Sequence, residues 1–139
     1  MIQFDLNPRL EGDSYPVTDL DLCAIRLMKD ANYPWVLMVP RKSDLIEIID
    51  LDAQERGRLM EEIAAVCEAL KKVTDCEKLN VGALGNQVPQ LHVHVIARFR
   101  DDAAWPGPVW GVVPPKPYDH DKADQVIAAL KSALTGSSD

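Results

Sequence analysis

The sequence predicts an α+β domain built on a mainly antiparallel sheet, and three observations predict it. Two short apolar runs lie either side of a turn-prone stretch, a long amphipathic segment follows, and a second pair of strand-like runs precedes a shorter amphipathic segment. The order β-β-α-β-β-α, with tight connections inside each strand pair, suits antiparallel neighbours backed by helices.

Leu22 to Met28 (LCAIRLM) and Trp35 to Val39 (WVLMV) are apolar and short, and Asp30-Ala31-Asn32-Tyr33-Pro34 separates them. They read as a hairpin with a longer loop, closed by Pro40. Arg41 to Asp50 is mixed; Leu45, Ile46, Ile48 and Ile49 suggest an irregular stretch or short strand lying over the core. A helix opens at Asp52, because Asp52-Ala53-Gln54-Glu55 has the spacing of a capping box. Leu59, Ile63, Val66, Leu70 and Val73 then recur at three and four residues and give one apolar face. Lys71 and Lys72 suit the negative end of the helix dipole. Gly57 costs roughly 1 kcal/mol relative to Ala but lies near the helix start.

Lys78 to Gly82 (KLNVG) reads as a strand, Gly85-Asn86 as a turn, and Leu91 to Arg98 (LHVHVIAR) as the last strand. Trp105 to Tyr118 holds Pro106, Pro108, Pro114, Pro115 and Pro117, which excludes a helix or an interior strand. Asp121 to Leu134 is a second helix with Val126, Ile127, Leu130 and Leu134 on its apolar side, and Thr135 to Asp139 is expected to fray. No repeat or linker divides the 139 residues, so one domain spanning 1–139 is expected.

Composition narrows the function. Hydrophobic residues make up 47% and charged residues 27%, a globular balance. The net charge of −7 argues against a broad nucleic-acid or acidic-membrane surface, since phosphate backbones are held by clustered Lys and Arg. A small phosphorylated ligand needs only a few local donors and stays open. No apolar run approaches the ~18 residues of a membrane span, and Met1 to Leu10 lacks the build of a secretory signal. Cys23, Cys67 and Cys76 are odd in number and form no CxxC pair, which fits a reducing, cytoplasmic setting.

The chemistry concentrates in Gln90-Leu91-His92-Val93-His94-Val95-Ile96. With a period of two, Gln90, His92 and His94 share one face while Leu91, Val93, Val95 and Ala97 face the core. Two of the three histidines of the chain fall here. They fit a solvated face with incidental imidazoles, a metal site, or nucleophilic catalysis. A metal would need a third strong ligand, and Gln90 is a poor one for zinc. A neutral imidazole can attack phosphorus when an acceptor holds its second nitrogen, while its neighbour donates to the phosphate.

Gly85-Asn86-Gln87-Val88-Pro89-Gln90-Leu91-His92-Val93-His94-Val95-Ile96 resembles the signature of the histidine triad (HIT) superfamily, His-φ-His-φ-His-φ-φ after a Gly-rich polar turn. The wider order also matches: a strand ending Val39-Pro40-Arg41, a long helix, an Asn-bearing strand at Asn80, then the signature. The resemblance covers roughly Leu22 to Arg98 and is greatest toward bacterial HIT-like proteins of the dinucleoside polyphosphate hydrolase kind. It implies a HIT-like fold with a five-stranded, mainly antiparallel sheet, one long helix and a C-terminal helix, assembled as a homodimer whose sheets join. It implies cleavage at the α-phosphate of a nucleotide substrate through a nucleotidyl-histidine intermediate. His92 would be the nucleophile, its other ring nitrogen held by a backbone carbonyl. His94 would donate to the phosphate or leaving group, and Gln90 fills the first triad position. Asn86 and Gln87 lie where phosphate contacts are expected, with Asn80 a further candidate. Such two-step chemistry needs no metal in the protein, although a divalent cation can accompany a polyphosphate substrate.

Three departures accompany the resemblance. Gln90 replaces a histidine and cannot hold a proton. Trp35 stands where many relatives carry a histidine, and a gap-free match places Leu27 where relatives put a ribose-binding Asn or Asp. These suit an alternative, a catalytically weak nucleotide-binding protein; a metal-binding module using His92 and His94 is a third reading. Arg98 shares parity with the histidines and could draw in an anion or form a solvated strand end. Trp105 and Trp110 could stack on a base or cap the core. Arg41 and Lys42 read as exposed charges, and His120 as a helix-start surface residue. Asp13 and Asp19 support no carboxylate-pair argument.

Overall fold

The computed structural model describes residues 4–136. In chain order it holds α1 (Pro8–Gly12), β1 (Ser14–Asp19), β2 (Cys23–Met28), β3 (Trp35–Pro40), a 3-10 turn (Ile48–Asp50), α2 (Ala53–Thr74), β4 (Lys78–Gly82), β5 (Val93–Arg98) and α3 (His120–Thr135). The strands form one five-stranded sheet in the order β1-β2-β3-β5-β4, and each neighbouring pair is antiparallel.

The long helix starts where its capping box places it. The Glu55 amide donates to Asp52 Oδ1 at 2.8 Å and the Asp52 amide to Glu55 Oε1 at 2.9 Å, so two helix-end donors are satisfied reciprocally. At the other end Asp75 adopts the left-handed conformation (φ 53°) and its amide closes on Lys71 O. Leu59, Val66 and Leu70 are buried, and Ile63 and Val73 pack beside them. They lie against the sheet face formed by Cys23, Ile25, Leu27, Val36, Met38, Val93, Val95 and Ala97, with Leu130 of α3 completing the cluster. Strand alternation therefore leaves the intervening residues of β3 and β5 on the opposite face.

That opposite face positions the site. Leu37 pairs with Arg26 on β2 and with His94 on β5, and His94 pairs with Gly82 on β4. One step along the strands, Trp35 pairs with Ile96, which pairs with Asn80. Here α1 packs Leu10 with Leu37, Val39 and Val88.

Two elements went unread in the sequence. Helix α1 is opened by Asn7, whose Oδ1 accepts from the Arg9 amide, with Pro8 in the first turn. Strand β1 carries Pro16 and a register irregularity between Pro16 and Thr18; as an edge strand it tolerates the proline that masked it. The ladder of the last strand begins at Val93, so Gln90 to His92 lie in the bend before it. Helix α3 ends at Gly136, in the left-handed region at φ 71°. Thr135 thus closes the helix and Gly136 caps it, and residues 137–139 of the tail expected to fray lie outside the described residues.

Candidate active site

The approach to β5 is tied down on both sides. The Leu91 amide donates to Leu45 O at 2.9 Å. Gln90 Oε1 accepts from the Asn7 amide at 2.8 Å, and its Nε2 donates to Asp5 O at 2.9 Å. Both ends of the Gln90 amide thus hold the N-terminal segment, and Gln90 does not line the cavity beside the histidines. The expectation of a catalytic Gln90 is therefore revised to a structural one.

His92 points to the non-core side of this bend. Its Nδ1 lies 2.6 Å from Gln90 O. A carbonyl oxygen only accepts, so Nδ1 carries the hydrogen and Nε2 keeps its lone pair. His94 has the complementary arrangement. Trp35 and His94 are diagonal neighbours on one sheet face, close enough for long side chains to meet. The Trp35 Nε1–H donates to His94 Nδ1 at 2.9 Å. Indole is a donor only, so His94 Nδ1 is the acceptor and its hydrogen sits on Nε2. Burial, and then the neighbouring His92, push the His94 pKa down to about 4. The two imidazole centroids are 5.0 Å apart.

The histidines are 7% and 6% exposed, which removes the solvated-face reading, yet both line a cavity of about 350 Å³. Arg9, Asn86, Gln87, Trp35 and Trp110 also line it. Gly82 lets Trp110 close over this strand: a Cβ there would stand 3.4 Å from the indole, whose centroid is 5.3 Å from that of His94. A second cavity of about 170 Å³ flanks His92 on its other side, between Ile46, Ile48 and Leu84.

Arg9 was missed with its helix. Its Nη2 donates to Gln87 Oε1 at 2.7 Å, and it is the one Lys or Arg among the described residues lining the cavity that both histidines share. The Asn7-Pro8 pair, a helix-start signal, was the available clue.

Other expected residues lie elsewhere. Arg98 is 1% exposed. Its Nε and Nη2 donate to the two Asp102 carboxylate oxygens at 2.8 and 3.0 Å, and its Nη1 to Asn80 Oδ1 at 2.7 Å. Burial alone would raise the Asp102 pKa, but Arg98 and the amides of Phe99, Ala104 and Trp105 outweigh it and hold it at about 2. Expected as substrate-binding residues, Arg98 and Asn80 here form an internal ion-pair network and do not line the cavity shared by the histidines. Trp105 lies over the Arg98 guanidinium at 5.7 Å, so the two tryptophans divide, Trp105 to this network and Trp110 to the cavity. Leu27 faces the helix-side core, fully buried, while its neighbour Met28 lines the cavity. Lys42 is exposed as expected and pairs with Glu55 at the surface, whereas Arg41 is half-buried and donates to Leu20 O at 2.6 Å. His120 is exposed on α3, near Asp124. No group of three or more His, Cys, Asp or Glu side chains among the described residues could hold a metal ion, and no helix among them is long and apolar enough to cross a membrane.

Comparison with known proteins adds the family. The HIT domain model matches residues 9–101. The chain is similar to the crystal structure of a histidine triad protein from Bradyrhizobium japonicum, with 51% identity over 94% of this chain and 98% of that one and a TM-score of 0.93. It is also similar to a histidine triad protein from Sinorhizobium meliloti 1021, at 44% identity over 94% and 97% of the two chains, TM-score 0.92. A Plasmodium falciparum diadenosine triphosphate hydrolase shares the fold at 13% identity, over 99% of this chain and 86% of that one, TM-score 0.62. No curated protein matches the chain.

Proposed function

This chain belongs to the histidine triad (HIT) family, and on that premise we propose that it cleaves nucleotides at the α-phosphate, as a hydrolase or nucleotidyl transferase with His92 as nucleophile. The observation that carries the reading is the His92 Nδ1–Gln90 O bond at 2.6 Å, beside a cavity large enough for a substrate. It leaves the Nε2 lone pair available and lets the backbone carbonyl stabilise the positive charge that attack places on the ring.

In the proposed mechanism, Nε2 of His92 forms a bond to the α-phosphorus while the bond to the leaving group breaks. Charge spread over the equatorial oxygens is met by His94 Nε2–H, the Asn86 amide and the Arg9 guanidinium, all lining the cavity. Water then attacks phosphorus on the same centre, and the N–P electron pair returns to His92. No metal is required of the protein, and a divalent cation can travel with the substrate.

The proposal extends to a cytoplasmic homodimer. Support comes from β4, which forms an edge of the sheet with Val81 exposed, a strand suited to continue into a second copy.

The test is release of nucleoside monophosphate from a dinucleoside polyphosphate and from a nucleoside phosphoramidate. Wild type should turn over at least one, and His92→Ala should abolish it. Wild type that binds nucleotide without turnover would instead favour a binding protein.

A further inference from the structure

We propose that Trp35 is a positioning residue that fixes His94 as a neutral Nε2–H donor, and thereby restricts this site to leaving groups that depart as stable anions. The inference rests on the reading of His92 as nucleophile and narrows it to phosphoanhydrides over phosphoramidates and alkyl phosphoesters.

The Trp35 indole N–H sits 2.9 Å from His94 Nδ1, and a ring nitrogen that accepts there has no hydrogen of its own. Protonating His94 would set two N–H groups against each other. The other groups around the ring do not offset this. His92 is a second imidazole at 5.0 Å, Trp110 packs as an indole edge at 5.3 Å, and the strand partners Leu37 and Gly82 carry no charge. Asp13, the one carboxylate among the described residues lining the cavity, faces Arg9 at 4.0 Å. Among the described residues no carboxylate hydrogen-bonds to either His94 nitrogen, so none of them favours the imidazolium.

A neutral imidazole N–H stabilises negative charge through a hydrogen bond but is far too weak an acid to hand over its proton at neutral pH. Gln90, in the first triad position, has no titratable proton and is held by Asn7 and Asp5. The chemistry follows from the leaving group. In a phosphoanhydride, the His92 Nε2 lone pair forms the N–P bond, the P–O bridge breaks, and its electron pair stays on the departing phosphate, which needs only hydrogen bonds. In the second step a water oxygen bonds to phosphorus, the N–P pair returns to His92 Nε2, and one proton is released to solvent. An amine or simple alcohol must be protonated as its bond to phosphorus breaks, and among the described residues lining this cavity none is placed to supply that proton.

Two measurements test this on the intact protein. In the first, two-bond 15N–1H spectra of 15N-histidine-labelled wild type at pH 7 should show His94 as the Nε2–H tautomer; they need no variant. In the second, kcat/KM for a dinucleoside triphosphate should exceed that for the matching nucleoside phosphoramidate by roughly 100-fold or more, the scale of a missing general acid. Trp35→Phe keeps the ring and removes the donor, so it should release the tautomer lock and narrow that ratio. An Nδ1–H or imidazolium form of His94 in wild type overturns the Trp35 assignment and leaves the nucleophile reading intact. Comparable turnover of both substrates overturns the leaving-group restriction. No turnover of either overturns the parent reading and the restriction with it.

Discussion

His92 is oriented by the backbone of Gln90, not by its side chain: the imidazole Nδ1 meets the carbonyl oxygen two residues earlier at 2.6 Å. Any residue at position 90 provides that acceptor. Replacement of a histidine by glutamine there is therefore compatible with a correctly aimed nucleophile, while the Gln90 amide holds the N-terminal segment through Asn7 and Asp5.

Gln90→Ala should accordingly act on stability more than on chemistry. Loss of one part-buried and one exposed hydrogen bond predicts a decrease of about 1 kcal/mol in urea denaturation, with faster hydrogen exchange at the Asn7 amide. Turnover should stay within about tenfold of wild type, far above the 10²–10⁴-fold loss typical of removing a general acid or base. A loss on that larger scale with unchanged stability would restore a catalytic Gln90.

Arg9 lines the cavity that both histidines share and is tethered to Gln87. Arg9→Gln should raise KM for a polyphosphate substrate about tenfold, near the ~1.5 kcal/mol of a hydrogen bond to a charged group, with kcat changed much less. Steady-state kinetics check this; an unchanged KM would remove Arg9 from the site.

Arg98 should behave as a structural residue. Arg98→Ala leaves the buried Asp102 carboxylate without its partner, a change that costs about 3–5 kcal/mol. Chemical denaturation reads that loss. Nucleotide affinity of the folded fraction should not change, because Arg98 does not line the cavity.

Stability should also depend on pH through His94. Its pKa falls from 6.5 to about 4 on folding, through burial first and His92 second. Between those values the unfolded chain binds a proton that the folded chain does not, so stability is lost as pH falls from 6.5 toward 4. The displacement corresponds to roughly 3–4 kcal/mol. Urea midpoints from pH 7 to 5 should decline in wild type and flatten in His94→Gln; identical slopes would contradict the burial argument.

The core of this fold was legible because its signals are local. The Asp52 and Glu55 capping box, the apolar spacing of α2 and the alternation of Leu91, Val93, Val95 and Ala97 each act within a few residues. Parity correctly placed His92 and His94 off the core face, but it does not name partners. Arg98 shares that parity and is taken up by Asp102 and Asn80. Trp35 read only as a departure, because its contact with His94 spans 59 residues and exists only once β3 and β5 pair. Pro16 hid β1, and the brevity of α1 hid Arg9, although Asn7-Pro8 marks its start.

The most direct measurement is acid-free, base-quenched mass spectrometry after brief mixing with a dinucleoside polyphosphate, since a phosphorus–nitrogen bond to imidazole survives base better than acid. A nucleotidyl adduct should be found on His92 in wild type and be absent from His92→Ala. Turnover that proceeds with no adduct on His92, or with the adduct on His94, would contradict His92 as the nucleophile.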